Sequence, residues 1–156
     1  MSEVGLEVGS VAPDVDFEMA DGSRSSIAAY RGKPLVVYFY PKDDTPGCTN
    51  EAKAFSTLLP DFDRAGVAVL GVSKDSAKSH AKFIAKYDLK VALAADTDGK
   101  LCDAFGTWVE KAMYGRSYMG IERATFLIDA DGRVSHVWRK VKVPGHAESV
   151  LAAATA

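Results

Sequence analysis

The 156-residue sequence predicts an α/β fold in which a mixed central sheet carries helices on both faces, and three observations lead to it. Leu35 to Phe39 and Val67 to Val72 are apolar at consecutive positions rather than alternate ones, the pattern of strands covered on both sides. Between them Ala52, Phe55, Leu59 and Phe62 recur at helical spacing, which makes strand, helix, strand a right-handed βαβ unit. Arg123 to Asp129 and Val134 to Lys140 flank Asp131-Gly132, a turn dipeptide that adds an antiparallel hairpin to the parallel strands.

The remaining elements follow in order. Val15 to Met19 with Asp21-Gly22 reads as a short strand entering a hairpin, and Ser25 to Tyr30 has room for one helical turn. A helix from Cys48 to Asp63 contains Pro60, which is expected to kink or divide it. Asp75-Ser76 offers a cap for a second helix to about Tyr87, with Ala77, Ala81, Ile84 and Tyr87 inward. Val91 to Ala95 is a third strand, Lys100 to Phe105 a short helix, and Gly145 to Ala154 a closing helix. Gly106 to Gly120, with Trp108, Tyr114 and Tyr118, shows no resolvable pattern.

At 47% hydrophobic and 26% charged residues, a single domain over residues 1–156 can bury one continuous core. The formal net charge of −2 and the lack of any Lys or Arg run make nucleic acid an unexpected partner. The first residues lack both a basic start and a signal-length apolar run, and no stretch approaches a membrane span, so a soluble, cytoplasmic protein without membrane contact is expected. Asp96 to Gly99 and Asp129 to Gly132 resemble calcium loops only faintly, because each glycine comes two positions early; they read as turns. Cys48 and Cys102, 54 positions apart, form no C-x-x-C, haem or zinc pattern with His80, His136 and His146, so they matter as thiols if they matter at all.

Cys48 stands at a strand-to-helix junction, where open α/β sheets keep their chemistry. Thr45 and Pro46 read as N-cap and first helical residue, which places the sulfur among unpaired N–H groups at the positive helix end. A thiol attacks only as thiolate, and moving its ionisation from about 8.5 to about 6 takes roughly 3.4 kcal/mol, whereas a helix terminus supplies at most about 2. A cation must supply the rest. Arg123 is the candidate: if its strand runs antiparallel to Leu35 to Tyr40, it begins at the edge where Cys48 emerges. Glu51, one turn beyond Cys48, would hold the guanidinium, Thr45 would cap the helix and donate its hydroxyl proton to the thiolate or an incoming oxygen, and Pro41 would shape the loop. Lys42 and Lys53 read as solvated. A lone cysteine is ordinarily an apolar filler, and Cys102, with no cap or cation assigned to it, keeps that reading.

Pro41-x-x-x-Thr45-x-x-Cys48 resembles the active-site motif of the peroxiredoxins, and Thr45-Pro46-Gly47-Cys48-Thr49-x-Glu51 that of their bacterioferritin comigratory protein, or PrxQ, branch. Gly71-Val72-Ser73-x-Asp75, Tyr118 to Asp129 and Val141-x-Val143-x-Gly145-His146-Ala147 are similar to the same branch in spacing, so the likeness covers nearly the whole chain. It implies a thioredoxin-like fold and reduction of hydrogen peroxide or organic hydroperoxides. Cys48 would be the peroxidatic thiolate, Thr45 and Arg123 would position peroxide, Pro41 would shape the loop and Glu51 would support the arginine. No metal or organic cofactor is required; the partners would be a peroxide and a thiol reductant such as thioredoxin or glutaredoxin, acting on a monomer or weak dimer.

One departure from the branch bears on the cycle. Its members often carry a resolving cysteine at the positions held here by Lys53 or Ile84. A one-cysteine cycle with an external thiol is therefore expected, and a Cys48–Cys102 bridge is the alternative. Two other classes compete: a redox-inactive thioredoxin-like binding or chaperone module, and a cysteine hydrolase with His80 or His146 as base.

Overall fold

A computed structural model describes residues 6–156. Its centre is a seven-stranded sheet in the order β2-β1-β5-β4-β3-β8-β9. The parallel core consists of β3 (Leu35–Phe39), β4 (Ala68–Ser73) and β5 (Ala92–Ala95). An N-terminal hairpin, β1 (Asp16–Met19) and β2 (Arg24–Ser26), pairs antiparallel with β5. On the other side β8 (Ala124–Ile128) runs antiparallel to β3 and is followed by β9 (Val134–Trp138). Four helices connect and cover these strands: α1 (Pro46–Arg64), α2 (Ala77–Tyr87), α3 (Lys100–Phe105) and α4 (His146–Thr155). None of the described helices is long and apolar enough to cross a membrane.

All five residues of β3 are buried, and their alternation divides the core in two. Val36 and Tyr38 join Cys48, Ala52, Phe55, Phe62, Phe83 and Val150 beneath α1, α2 and α4. Leu35, Val37 and Phe39 face the opposite side with Leu101, Cys102, Phe105 and Phe126. Burying each of these large side chains is worth about 1.5–3 kcal/mol, so each face is held by its own apolar layer. Tyr38 stacks on Phe55 at 4.5 Å between centroids. Its ring leaves no room for a Cβ at the paired Gly71, which would lie 2.7 Å from the Tyr38 ring and from Leu93.

Three expectations change. Helix α1 is continuous through Pro60: the proline lies on the exposed side, where the carbonyl it leaves unpaired can be hydrated. On helix α2, Ile84 and Tyr87 pack against the core as expected, but the fully buried residues are His80 and Phe83 while Ala81 is exposed; the imidazole has found partners in the core and so takes the place assumed for alanine. The unresolved stretch Gly106 to Gly120 is largely a separate two-stranded hairpin, β6 (Trp108–Met113) and β7 (Arg116–Ile121). The two calcium-like stretches are turns: Asp96 accepts from the N–H groups of Leu101 and Cys102, and Asp129 from those of Asp131 and Arg133.

Candidate active site

The end of β3, the start of α1 and the start of β8 meet at one edge of the sheet. Antiparallel pairing sets Phe39 opposite Ala124, which carries Arg123 to the first turn of α1. Thr45 is the N-cap residue in extended conformation, and Pro46 opens the helix. The N–H of Thr49 is bonded to the Thr45 carbonyl at 2.8 Å, and those of Gly47 and Cys48 have no backbone partner among the described residues. The Cys48 sulfur therefore sits beside free donors, at 1% exposure, on the buried stripe it shares with Ala52 and Phe55.

Arg123 joins the parts. One guanidinium nitrogen donates to Cys48 Sγ at 3.4 Å and the other to Glu51 Oε1 at 2.5 Å. Gly47 permits this approach, since a Cβ there would come within 3.2 Å of the guanidinium. The Arg123 side chain is 17% exposed and Glu51 1%, so the pair is shielded from solvent and keeps a fixed geometry. Its attraction does not cancel desolvation at Glu51: burial pushes that carboxyl up to about 7 against the pull of Arg123, and Glu51 Oε2 lacks a hydrogen-bond partner.

Thr45 differs from expectation in one respect. Its hydroxyl does not cap the helix but donates to the Lys42 carbonyl at 2.9 Å, within the same tight loop. The proton is committed there, which leaves the oxygen lone pairs as acceptors. Pro41 is exposed and lines a groove of about 400 Å³ with Lys74, Trp108, Lys111, Met119 and Ile121. Lys111 is a neighbour that sequence reasoning missed: burial and Arg123 lower its ammonium pKa, while Glu122 and the Cys48 sulfur raise it. It belongs to the hairpin that showed no readable pattern.

Cys102 stands apart from this constellation. It is fully buried in the core half on the other side of the sheet from Cys48, and burial together with Asp96 holds its thiol well above the usual range. Neither His80 nor His146 is hydrogen-bonded to Cys48. His80 meets Asp43 and the Ala94 carbonyl, and His146 meets the Thr125 hydroxyl, so the hydrolase alternative lacks its base.

His146 and Glu51 make opposite demands on pH. Burial, with Arg123, lowers the His146 pKa from 6.5 to about 4. Its unfolded form therefore binds more protons between those values, and its contribution to stability is lost as pH falls through them. Glu51 moves from 4.5 to about 7, so its contribution declines as pH rises through that window. The two should nearly cancel from about pH 5 to 6.5. Thermal melts across this range are expected to be flat for the native chain, to fall with rising pH in His146→Asn, and to fall with acidification in Glu51→Gln. Superimposable profiles for all three would contradict this balance.

The AhpC/TSA family model matches residues 8–137. The peroxiredoxin Bcp of Xanthomonas campestris is 49% identical over 153 residues, covering 98% of this chain and 96% of that protein. The chain belongs to the peroxiredoxins. The peroxiredoxin Bcp of Bacillus subtilis is 44% identical over 146 residues, covering 94% and 93% of the two chains. A solved structure of Xanthomonas campestris peroxiredoxin Q superposes with TM-score 0.89 at 50% identity, covering 96% of this chain and 94% of that one. Another, studied for the alkyl peroxide reduction activity of the Xanthomonas campestris bacterioferritin comigratory protein, gives TM-score 0.89 at 48% identity, with 97% of each chain covered. The fold is thioredoxin-like, and this peroxiredoxin falls in the Bcp/PrxQ branch.

Proposed function

We propose that this peroxiredoxin reduces hydrogen peroxide and organic hydroperoxides at Cys48 in a one-cysteine cycle. The observation that carries the proposal is the Arg123 guanidinium, bonded on one side to Cys48 Sγ and on the other to Glu51. The sulfur lies beside a fixed cation and two backbone N–H groups without backbone partners, and thiolate is the form of sulfur that attacks. The same donors face the oxygens of a bound peroxide, and the Thr45 oxygen accepts the proton of a peroxide hydroxyl.

The thiolate attacks one peroxide oxygen. An S–O bond forms as the O–O bond breaks, Cys48 is oxidised to the sulfenic acid, and the departing oxygen leaves as alkoxide or hydroxide and takes a proton to become alcohol or water. Arg123 stabilises the charge moving onto that oxygen. The groove beside Pro41, with its Trp108, Met119 and Ile121 walls, offers an apolar surface for the organic part of an alkyl hydroperoxide. An external thiol then attacks the sulfenic sulfur, releasing water and leaving a mixed disulfide, and a second thiol returns Cys48 to the reduced state.

The external step is favoured over a Cys102 bridge because the two sulfurs lie in core halves divided by the sheet. A bridge needs the two Cα atoms within about 7 Å. Mass spectrometry after one equivalent of peroxide, without reductant, tests the cycle. The expected product carries one added oxygen on Cys48, trapped by a sulfenate reagent, with Cys102 still alkylatable after denaturation. An intact Cys48–Cys102 disulfide would overturn the one-cysteine cycle.

A further inference from the structure

The loop between β3 and α1 is fastened to α2 by a buried hydrogen-bond network that takes no part in the chemistry described above. Asp43 Oδ1 accepts from the Tyr40 hydroxyl at 2.6 Å, and Oδ2 accepts from Ser79 Oγ at 2.7 Å and stands 2.8 Å from His80 Nδ1. The other ring nitrogen of His80 lies 2.8 Å from the Ala94 carbonyl. His80 thus bridges the Asp43 carboxyl and the Ala94 carbonyl through its two ring nitrogens. It is 0% exposed. The Asp43 N–H adds a bond to Asp75 Oδ2 at 2.9 Å. Next in the chain, Asp44 adopts a left-handed φ of 59° and reaches Lys86 and Tyr87 at 2.7 and 2.5 Å.

The groups facing His80 are Tyr40 from the end of β3, Asp43 from the loop and the Ala94 carbonyl from β5. Of the acid–base contacts in this network, Asp43–His80 is the one shielded from water. Breaking such a pair leaves a buried charge without its partner, so the loop and α2 are strongly coupled. That coupling bears on the cycle because Cys48 is 1% exposed. Peroxide is small enough to react in the closed site, but a thiol that attacks the sulfenate needs the first turn of α1 to open.

We infer that Asp43 and His80 are positioning residues whose contact holds Pro41 to Thr45, and with them the first turn of α1, in the arrangement that reacts with peroxide. The same pair then sets how readily the turn opens to the reducing thiol. The inference rests on Cys48 as the peroxidatic residue; it separates two steps that one sulfur must perform in two different surroundings.

The test compares His80→Gln and Asp43→Asn with the native chain, each as the full-length protein, in three measurements. These are hydrogen exchange of residues 41–50, the rate of reduced protein with hydrogen peroxide, and the rate of the preformed sulfenate with β-mercaptoethanol. His80→Gln is expected to raise loop exchange by about tenfold, to slow oxidation several-fold and to speed reduction several-fold. A purely structural role would lower the melting temperature and leave the ratio of the two rates unchanged. The effects of the double variant should fall short of the sum of the singles, because both changes remove the same interaction.

Tyr40→Phe and Ser79→Ala each remove one donor to Asp43 while keeping the pair, and should move exchange and the rate ratio in the same direction by less. They carry the test if either buried substitution fails to fold. Unchanged loop exchange, or two rates falling in proportion, would overturn the inference. Failure of the Cys48 assignment would show separately, as turnover surviving in Cys48→Ser, and would leave the exchange result intact.

Discussion

Replacing Cys48 with serine should lower kcat/KM for hydrogen peroxide by about 10³-fold or more, to the background of the solution reaction. The change removes one polarisable sulfur and keeps nearly the same volume, so the core beneath α1 should hold and the melting temperature should stay close to the native value. An alkoxide is far less accessible than a thiolate in the same field, and Arg123 cannot make up the difference. The measurement is a coupled peroxidase assay with matched circular dichroism and melting curves. A variant that keeps a tenth of native turnover would remove Cys48 from the mechanism.

The second large effect belongs to Arg123. Arg123→Ala should slow oxidation of the reduced protein by about 10²–10³-fold in stopped-flow measurements, the scale set by losing a fixed charge donor in a site closed to water. Arg123→Lys should recover little of it. A single ammonium cannot bond Cys48 Sγ and Glu51 Oε1 together as the guanidinium does from two nitrogens. A rate in Arg123→Ala within threefold of native would leave the helix terminus and its donors as the main source of reactivity.

How much of this was legible in the sequence follows from the range of the forces involved. The parallel strands and α1 could be read because consecutive apolar residues and helical spacing are local patterns. The meeting of Cys48 with Arg123 could be inferred because a single assumption, antiparallel pairing of β3 with β8, brings residues 75 positions apart to one edge. The β6–β7 hairpin escaped because much of its surface stays exposed and its turn is Tyr114-Gly115, both at positive φ. Asparagine or aspartate before that glycine would have announced such a turn, and tyrosine does not. His80 escaped for another reason: an imidazole in a helix reads as solvated until its partners, on β3, on β5 and in the loop, are known. The Thr45 hydroxyl was assigned to the helix below it but found the Lys42 carbonyl. A choice between accepting from a helix N–H and donating to a loop carbonyl is settled by rotamer and loop shape, which composition does not carry.

The division of the core by β3 has a further meaning for the traffic of sulfur atoms. In the proposed cycle the electrons that restore oxidised Cys48 come from a thiol that arrives over α1 or α2, because the strands stand between Cys48 and Cys102. Lys53 on α1 and Ile84 on α2 are on the Cys48 side of those strands, with Ile84 packed against the same core half as Cys48 and Lys53 exposed near Tyr87. Proximity along the chain is therefore a poor guide to which thiol could serve, and the side of the sheet a good one. Cys102, on α3, lies in the core half on the other side of β3 from Cys48, and the one-cysteine cycle proposed above rests on that placement.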